Sequence, residues 1–463
     1  MKKTTRMVLA LWAAGTTSGA VAMFGCASPT DTPAEGPSVA TGSGGSARGG
    51  SSGKGGSSGS AGATGGSSAS ASGGASVPPA GSGGAGSGES GTGGSAAAPD
   101  AGDEAGPSPD PGPPPGPAGE GAGEVPPTAG PLGKGNPMST GLDRHDALYC
   151  GEWQKTTKPG DTIYLVRGGK VTWSFSLNSS GGDEFGDCTL TTFGTVFYPL
   201  KGNGAFEIKV DETKGKGTTA DIVWQYKQDA GSEVHSVQPM GKDRVMVMQN
   251  GTPAKLLIID KTKAKICTSA SPNGCVIQEF HPTSAGKTHG MFRHVRPLAN
   301  GNFLVPYTGG GTGKVVEYKP MPAPSGAWTE VWSYDSGGSP WAAVRLRNGN
   351  TLISGNGGGW VREVSHDMPA KVVWEMTKAD FPATMYLAQG AVRLANGNTL
   401  IANWCGPAAV GAWANTVQYF EVTKDKKFVW QLKQWANPNL GPGSSLQPLD
   451  EPGVPENPGE IAR

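Results

Sequence analysis

Apolar and polar positions repeat along the C-terminal two thirds of the chain in a pattern typical of β-strands. Three segments are nearly the same: 342–355 reads AAVRLRNGNTLISG, 390–403 reads GAVRLANGNTLIAN, and 293–306 reads RHVRPLANGNFLVP. In each, two apolar runs flank Asn-Gly, the dipeptide that most readily supplies the two positive-φ residues of a type I′ turn. The pattern therefore predicts a tight β-hairpin with a type I′ turn at each copy.

Two more strands follow each predicted hairpin, the first ending in Glu-Val or Glu-Tyr and the second carrying a tryptophan. Looser copies lie upstream, and in one of them Phe280 takes the place of the tryptophan. A repeat of this length in a chain made of strands predicts an all-β fold, namely a β-propeller of four-stranded antiparallel blades. The aromatic residue of each repeat should pack between blades. These aromatic residues are spaced 42 to 56 residues apart, at Trp173, Trp224, Phe280, Trp332, Trp374 and Trp430.

The two ends of the repeat region predict how the ring closes. Residues 444–450 (SSLQPLD) match 235–241 (HSVQPMG), the first strand of a repeat, whereas residues 161–175 resemble the last strands of one. Joined, they form one blade, with the inner strand from the C-terminus and the outer strands from the N-terminal side, so that no sheet edge is left open. Six blades are predicted, and seven if residues 142–190 contain further strands.

Composition divides the chain into three parts. Residues 1–25 combine a positive start with an apolar run, the pattern of a signal peptide. Residues 26–140 are rich in Gly, Ser, Ala and Pro and have too few apolar side chains to offset the entropy of ordering, so we expect a disordered tether. Residues 141–463 hold twelve of the thirteen tryptophans and form the predicted propeller domain.

The segment 23–26 (MFGC) resembles a bacterial lipobox, which would place a lipid on Cys26. The segment 20–22 (AVA) would instead suit an ordinary signal peptidase. Ala27 and Ser28 follow Cys26, and the absence of an aspartate at these two positions favours the outer membrane in lipoproteins of this kind. We therefore expect an exported lipoprotein at the outer membrane or cell surface, attached to the membrane through its N-terminal lipid, or alternatively a secreted or periplasmic protein.

The repeat pattern resembles the PQQ-like and YVTN-like propeller repeats of secreted bacterial proteins, and also the blades of arylsulfotransferases. For quinoprotein dehydrogenases this resemblance implies eight blades and a quinone over adjacent cysteines, and this chain has neither feature. For arylsulfotransferases it implies a histidine at the channel mouth that carries the sulfuryl group. We expect no cofactor.

The hairpin register predicts which residues meet at the mouth of the central channel. Met240, Leu298, Leu346, Leu394 and Leu449 are equivalent in the repeats. Five positions earlier, where each inner strand enters the ring, one residue per blade should point into a shared funnel, the usual ligand site of propellers. These residues are His235, Arg293, Trp341, Gln389 and Ser444.

The histidines near this funnel allow two interpretations. In the first, His235 is an acid/base or nucleophile and Arg293 binds a sulfate or uronate, with His289 and His294 beside them as ligand-binding residues. In the second, the histidines only hydrogen-bond neighbouring loops. None of them has a metal-ligand spacing such as HExxH, and no metal site is predicted.

Three tryptophans fall outside the repeat, and we expect them to stack on sugar rings or to pack between loops: Trp360, Trp404 and Trp413. In an exported protein most cysteines should pair. Cys267 and Cys275 flank one turn and predict a cross-strand disulfide, while Cys150 should pair with Cys188 or Cys405.

Two function classes remain after these arguments. The first is a binding module for an extracellular glycan or protein, which we favour. The second is an enzyme similar to arylsulfotransferases or propeller-based polysaccharide lyases, with His235 and Arg293 as catalytic residues. Nucleic acid is excluded as a partner, because 38 basic and 38 acidic residues leave the chain without net charge and without a basic run.

Overall fold

The computed structural model describes residues 140–459, except for 153–159, 178–183, 283–288, 290, 309–312, 322–327, 357–358 and 407–411. The predicted signal peptide, Cys26 and the tether as far as residue 139 lie outside the described residues. No helix within the described ranges is long and apolar enough to cross a membrane.

The described residues form strands joined by short turns, with 3-10 helices at Leu142–Arg144, Glu212–Lys214, Thr219–Asp221 and Lys378–Asp380. The strands of the first half are β1 (Ala147–Gly151), β2 (Thr162–Arg167), β3 (Lys170–Ser176), β4 (Thr189–Leu190), β5 (Thr195–Leu200), β6 (Gly204–Lys209), β7 (Ile222–Lys227), β8 (Glu233–Met240), β9 (Arg244–Asn250), β10 (Lys255–Asp260), β11 (Ile266–Thr268) and β12 (Val276–Phe280). Those of the second half are β13 (Arg296–Pro297), β14 (Phe303–Tyr307), β15 (Lys314–Pro320), β16 (Trp328–Asp335), β17 (Ser339–Arg345), β18 (Thr351–Asn356), β19 (Trp360–Val364), β20 (Val372–Met376), β21 (Leu387–Arg393), β22 (Thr399–Trp404), β23 (Tyr419–Val422), β24 (Phe428–Leu432) and β25 (Gly443–Pro448).

These strands make six antiparallel blades, which confirms the six-bladed propeller. From the channel outward, blade 1 is β25-β1-β2-β3, blade 2 is β4-β5-β6-β7, blade 3 is β8-β9-β10-β12, blade 4 is β13-β14-β15-β16, blade 5 is β17-β18-β19-β20 and blade 6 is β21-β22-β23-β24. Strand β11 adds a fifth strand to blade 2 by pairing parallel to β7, a feature that the repeat did not predict.

Blade 1 closes the ring as the sequence predicts. The C-terminal strand β25 is innermost, and it pairs antiparallel with β1, with Tyr149 opposite Leu446. Strands β2 and β3 contain the predicted outer segment 161–175, and the register of β3 places Trp173 opposite Leu165.

The Asn-Gly segments form hairpins, but the predicted type I′ turn is wrong. In blade 5 the Leu346 N–H donates to the carbonyl of Asn350, and the Gly349 N–H donates to the carbonyl of Leu346. Only Gly349 has a positive φ, at 86°, and Asn348 does not. The loop is therefore a three-residue one, a type I turn followed by a left-handed glycine.

The assignment of Phe280 to the tryptophan position also needs correction. In four blades the tryptophan lies opposite a glutamate of the third strand, just before a bulge, as Trp430 does opposite Glu421. In blade 3 the residue at that register is Gln278, opposite Ile258. Phe280 still packs between blades, because its ring stacks on Trp328 of blade 4 with centroids 4.0 Å apart.

The apolar core lies between blades rather than at one centre. Each of six clusters joins side chains of two neighbouring blades, for example Trp173 of blade 1 with Tyr198 of blade 2. Two disulfides are present. One is the predicted Cys267–Cys275 pair, and the other joins Cys150 to Cys188, while Cys405 is a buried thiol.

Candidate functional site

Four innermost strands contain a β-bulge where they enter the ring. We call this end of the channel the upper face and the end with the Asn-Gly hairpins the lower face. A bulge re-aims a side chain, and bulges are frequent beside functional sites. The residues that they displace are four of the five that the hairpin register aligned: His235, Trp341, Gln389 and Ser444.

The sixth position of this ring, which sequence alignment missed, is a glycine. In blade 2 the Thr191 N–H donates to the carbonyl of Thr195, and the Gly194 N–H donates to the carbonyl of Thr191. The same two hydrogen bonds close the Asn-Gly hairpins, so Thr191 corresponds to Leu346. Counting back five residues gives Gly186. A Cβ added there would lie 3.0 Å from the carbonyl oxygen of His235, so glycine permits this close approach.

The structure brings Arg293 and His235 into contact, as the register predicts. Arg293 Nη1 lies 2.7 Å from His235 Nδ1 and 3.3 Å from Glu184 Oε2, and its Nη2 lies 3.4 Å from His289 Nε2. The guanidinium also stacks on the Trp341 ring, 4.0 Å from its centroid. Arg293 is only 3% exposed. Both terminal nitrogens are therefore occupied by protein groups.

Glu233 completes this group on the side away from Arg293. Its Oε2 lies 2.8 Å from His235 Nε2 and 2.9 Å from His289 Nδ1. Lys201 lies 2.9 Å from Glu184 and 3.8 Å from Glu233. We refer to these six residues as the upper-face cluster: Glu184, Lys201, Glu233, His235, His289 and Arg293.

The hydrogen bonds of the cluster determine which ring nitrogen of His235 and of His289 carries the proton. A guanidinium can only donate, so His235 Nδ1 accepts from Arg293, and the proton on His235 Nε2 is donated to Glu233. The same reasoning places the proton of His289 on Nδ1, because its Nε2 faces Arg293. His235 is thus a neutral bridge between a cation and a carboxylate, and His289 contacts the same two side chains.

The charges of the cluster agree with this assignment. Burial and the neighbouring Arg293 lower the pKa of His235 to about 4. Burial raises the pKa of Glu184, but the charges of Arg293 and Lys201, joined by that of His235 once acid protonates it, outweigh burial and lower the pKa to about 2. For Glu233, hydrogen bonds from the two imidazoles outweigh burial and lower the pKa. Two carboxylates and two cations therefore balance each other.

Below the cluster the channel narrows to a second polar group. Asp187 accepts from Arg296, at 2.5 and 2.9 Å, and from Gln238 Nε2 at 2.8 Å. His294 is fully buried there, and burial lowers its pKa to about 4. The cavity that these residues share with blades 5 and 6 measures about 40 Å³, enough for a few water molecules rather than a substrate.

The remaining predicted ligand-binding residues are buried. Ser444 Oγ donates to the carbonyl of Phe185 at 2.5 Å. Gln389 has no exposed surface, and no described residue hydrogen-bonds its amide nitrogen or oxygen. Trp404 is also buried, packed over Gly406, and Trp360 and Trp413 are buried as well. Trp360 begins β19 and belongs to the core between blades 4 and 5, Trp404 ends β22, and Trp413 stacks on Trp435, so none offers an open face for a sugar ring.

The lower mouth of the channel is covered by the C-terminal segment. The carbonyl of Glu456 accepts from the Gly241 N–H at 2.7 Å, and its carboxylate accepts from the Thr192 N–H at 3.1 Å. Four residues of this segment line the cavity at the lower mouth: Pro455, Asn457, Pro458 and Gly459. Among the described residues, this segment therefore obstructs the lower mouth.

Sequence reasoning found His235, His289 and Arg293 but missed the charged residues that pair with them. Glu233 lies two residues before His235, but the bulge at His235 interrupts the alternation of faces along the strand, so this spacing does not report its position. Glu184 and Lys201 lie in connections between strands, where no periodicity reports position.

Comparison with known proteins supports the fold. No protein-family model and no curated protein matches the sequence. A solved protein of unknown function from Bacteroides caccae aligns with a TM-score of 0.51 at 21% identity, over 66% of this chain and 98% of that one. At this identity the likeness shows the fold alone.

Two other solved structures align less closely. A catalytically inactive virginiamycin B lyase from Staphylococcus aureus, with quinupristin, aligns at 11% identity over 64% of this chain and 87% of that one, with a TM-score of 0.39. The WD40 β-propeller domain of Doa1 aligns at 14% identity over 55% of this chain and 71% of that one, with a TM-score of 0.38.

Proposed function

We propose that this protein is an exported β-propeller that binds an extracellular glycan at its upper face and is held at the outer membrane by a lipid on Cys26. The two disulfides support an extracytoplasmic location, since such bonds persist in oxidising compartments. The lipid anchor and the tether rest on the sequence pattern of the first 140 residues.

The observation that carries the binding proposal is the charge balance of the upper-face cluster. Its partly exposed side chains are Glu184, Lys201, Glu233 and His289, which together offer both donors and acceptors. Hydroxyl groups both donate and accept, so a hydroxyl-rich ligand matches this mixture better than an anion. Arg293, the expected anion-binding residue, is buried and engaged by three protein side chains.

The test is binding of the full-length protein to a panel of neutral and acidic glycans. We expect a neutral glycan to bind, with at least a tenfold loss of affinity in His289→Ala and Glu233→Gln. His281→Ala is the matched control, because His281 is an exposed histidine paired with Glu279 outside the cluster. Equal binding by all variants would place the ligand elsewhere, and binding of a protein but of no glycan would overturn the ligand class.

One observation favours an enzyme as the second candidate. Glu233 orients the His289 imidazole through Nδ1, and His289 is 28% exposed. A carboxylate-oriented imidazole is the arrangement of a general base. Turnover of aryl sulfates or acidic glycans that disappears in His235→Ala and His289→Ala would replace the binding proposal.

A further inference from the structure

Two imidazoles and one carboxylate converge at the mouth of the funnel. One ring nitrogen each of His235 and His289 and a Glu233 carboxylate oxygen lie within 4.8 Å of one another, although His235 belongs to strand β8 and His289 to the connection that follows β12. We infer that Glu233, His235 and His289 form a binding site for a divalent transition-metal ion, zinc by preference. This inference does not depend on which ligand the upper face binds.

The spacing of the donors fits such an ion after a small expansion. Bonds of about 2.0–2.1 Å at tetrahedral angles separate neighbouring zinc ligands by about 3.3 Å. The two nitrogen–oxygen distances to Glu233 are 2.8 and 2.9 Å, so each must open by roughly half an ångström. The two histidine nitrogens, which lie within 4.8 Å of each other, must also come to about 3.3 Å apart.

The donor types select the class of metal. Two nitrogens and one oxygen suit zinc and its neighbours in the first transition row, whereas calcium and magnesium take oxygen ligands. Three protein ligands leave a fourth position open. Since His289 is the most exposed of the three, that position faces the upper mouth, where a water molecule or a ligand hydroxyl could coordinate.

Metal binding requires a rearrangement of protons but no net loss of one. His289 moves its proton from Nδ1 to Nε2, which is only weakly engaged by Arg293 at 3.4 Å. His235 moves its proton from Nε2 to Nδ1, which now accepts from Arg293 at 2.7 Å. The new Nδ1–H then has Glu184 Oε2 as its acceptor, 3.7 Å away before any adjustment. Arg293 must withdraw from His235.

Arg293 therefore opposes the metal in two ways. It donates to a nitrogen that must itself become a donor, and its charge repels a second cation nearby. Removing Arg293 should strengthen metal binding, whereas removing a metal ligand should weaken it. If the cluster were only a structural hydrogen-bond network, removing Arg293 would not increase the affinity for a metal ion while removing Glu233 or His289 decreases it.

The experiment titrates the untagged full-length protein, first freed of metal by a chelator, with Co²⁺ and then displaces the Co²⁺ with Zn²⁺. We expect one equivalent of Co²⁺ to give the intense visible bands of a four-coordinate ion. Glu233→Gln and His289→Asn should weaken Zn²⁺ binding at least tenfold, since losing even a side chain that only orients a ligand typically costs about 10- to 100-fold. Arg293→Met should tighten it about tenfold or more, given the charge that it removes.

His281→Ala and Glu279→Gln are the matched controls, because this exposed pair has its imidazole and carboxylate 3.0 Å apart outside the cluster. They should leave affinity unchanged. Glu233→Gln is nearly isosteric and His289 is partly exposed, so both variants should fold, which their thermal midpoints will check. Weak bands, or equal affinities in the ligand and control variants, would overturn the metal site and leave the glycan proposal to its own binding test.

Discussion

The repeated Asn-Gly-Asn residues connect blades as well as making turns. Asn350 Nδ2 donates to Glu363 Oε1 at 2.7 Å, and Arg393 of the next blade donates to Glu363 Oε2 at 2.8 Å and lies over the Trp374 ring. The same unit recurs with Asn302, Glu317, Arg345 and Trp332. The glutamate, its asparagine donors and the arginine of the next blade thus form one contact between blades. This contact explains why the same residues recur along the chain.

We expect Glu363→Ala to lower the free energy of unfolding by about 3 kcal/mol, because it leaves the Arg393 guanidinium and two asparagine amides without their partner. Urea denaturation measures this loss. Glu330→Ala is the matched control, since Glu330 pairs with Lys314 at an exposed position and should cost less than about 1 kcal/mol. Equal losses would show that the repeated contact contributes no more than a surface ion pair.

Only some contacts among the upper-face residues could be predicted from the sequence. His235 and Arg293 could be placed together because both occupy the same register position in adjacent repeats. The contact between Glu233 and His289 could not, since His289 lies in a connection of irregular structure. Periodicity reports which face a strand residue occupies, but the position of a loop residue depends on packing that a pattern does not encode.

At the scale of elements, the hairpins were predictable and their turns were not. The apolar runs fix which strands pair, whereas the loop type depends on one backbone hydrogen bond. The Leu394 N–H bonds the carbonyl of Asn398 and makes a three-residue loop, as in the other copies. An Asn-Gly dipeptide suits this loop equally well, with the glycine in the left-handed position.

The blade that closes the ring carries a titratable clamp. His145, just before β1, lies 3.2 Å from Glu421 of blade 6 and 3.1 Å from Asp450, which follows β25. Burial lowers the pKa of His145, but its hydrogen bonds to Asp450 and Glu421 outweigh this and raise the pKa to about 9. The protonated imidazole thus ties the segments before β1 and after β25 to blade 6.

This clamp predicts a pH dependence of stability. The pKa of an unfolded histidine is about 6.5, so the stabilisation is complete below that pH and is lost as the pH rises through about 9. The loss should approach 3 kcal/mol, in order of magnitude. Unfolding in urea at pH 6 and pH 9.5 should show it in the wild type and not in His145→Gln. The same pH dependence in both proteins would contradict the clamp.

The two disulfides should differ in their contributions. Cys150–Cys188 spans 38 residues and joins blade 1 to the start of blade 2, whereas Cys267–Cys275 spans 8. Loop-closure entropy predicts stabilisation of about 4 kcal/mol for the first and about 2.5 kcal/mol for the second. Replacing each pair by alanines and comparing urea midpoints tests the order. A larger loss for the shorter loop would show that strain or residual structure, not loop entropy, dominates.

For the whole molecule, the core and the candidate site use different residues. The core consists of contacts between neighbouring blades, made by residues that recur with the repeat, and for this reason the sequence predicted the fold and its closure. The candidate site consists of residues that occur once, such as Glu184 and His289. A repeat pattern predicts the ring of blades. Site residues outside the repeat can be identified only from the three-dimensional structure.

The C-terminal segment after β25 bonds to three blades around the lower mouth of the channel, and its removal should show this. A protein ending at Asp450 keeps β25 and the His145 clamp but loses the acceptors of three backbone N–H groups: those of Thr192, Gly241 and Ala395. We expect these amides to exchange hydrogen faster, while the Gly349 amide, bonded within its own hairpin, keeps its rate. Because the bonded amides belong to blades 2, 3 and 6, the effect should appear on opposite sides of the lower mouth. Unchanged exchange at all three would mean that the segment only rests on this face, and ligands could then enter the channel from below as well as from above.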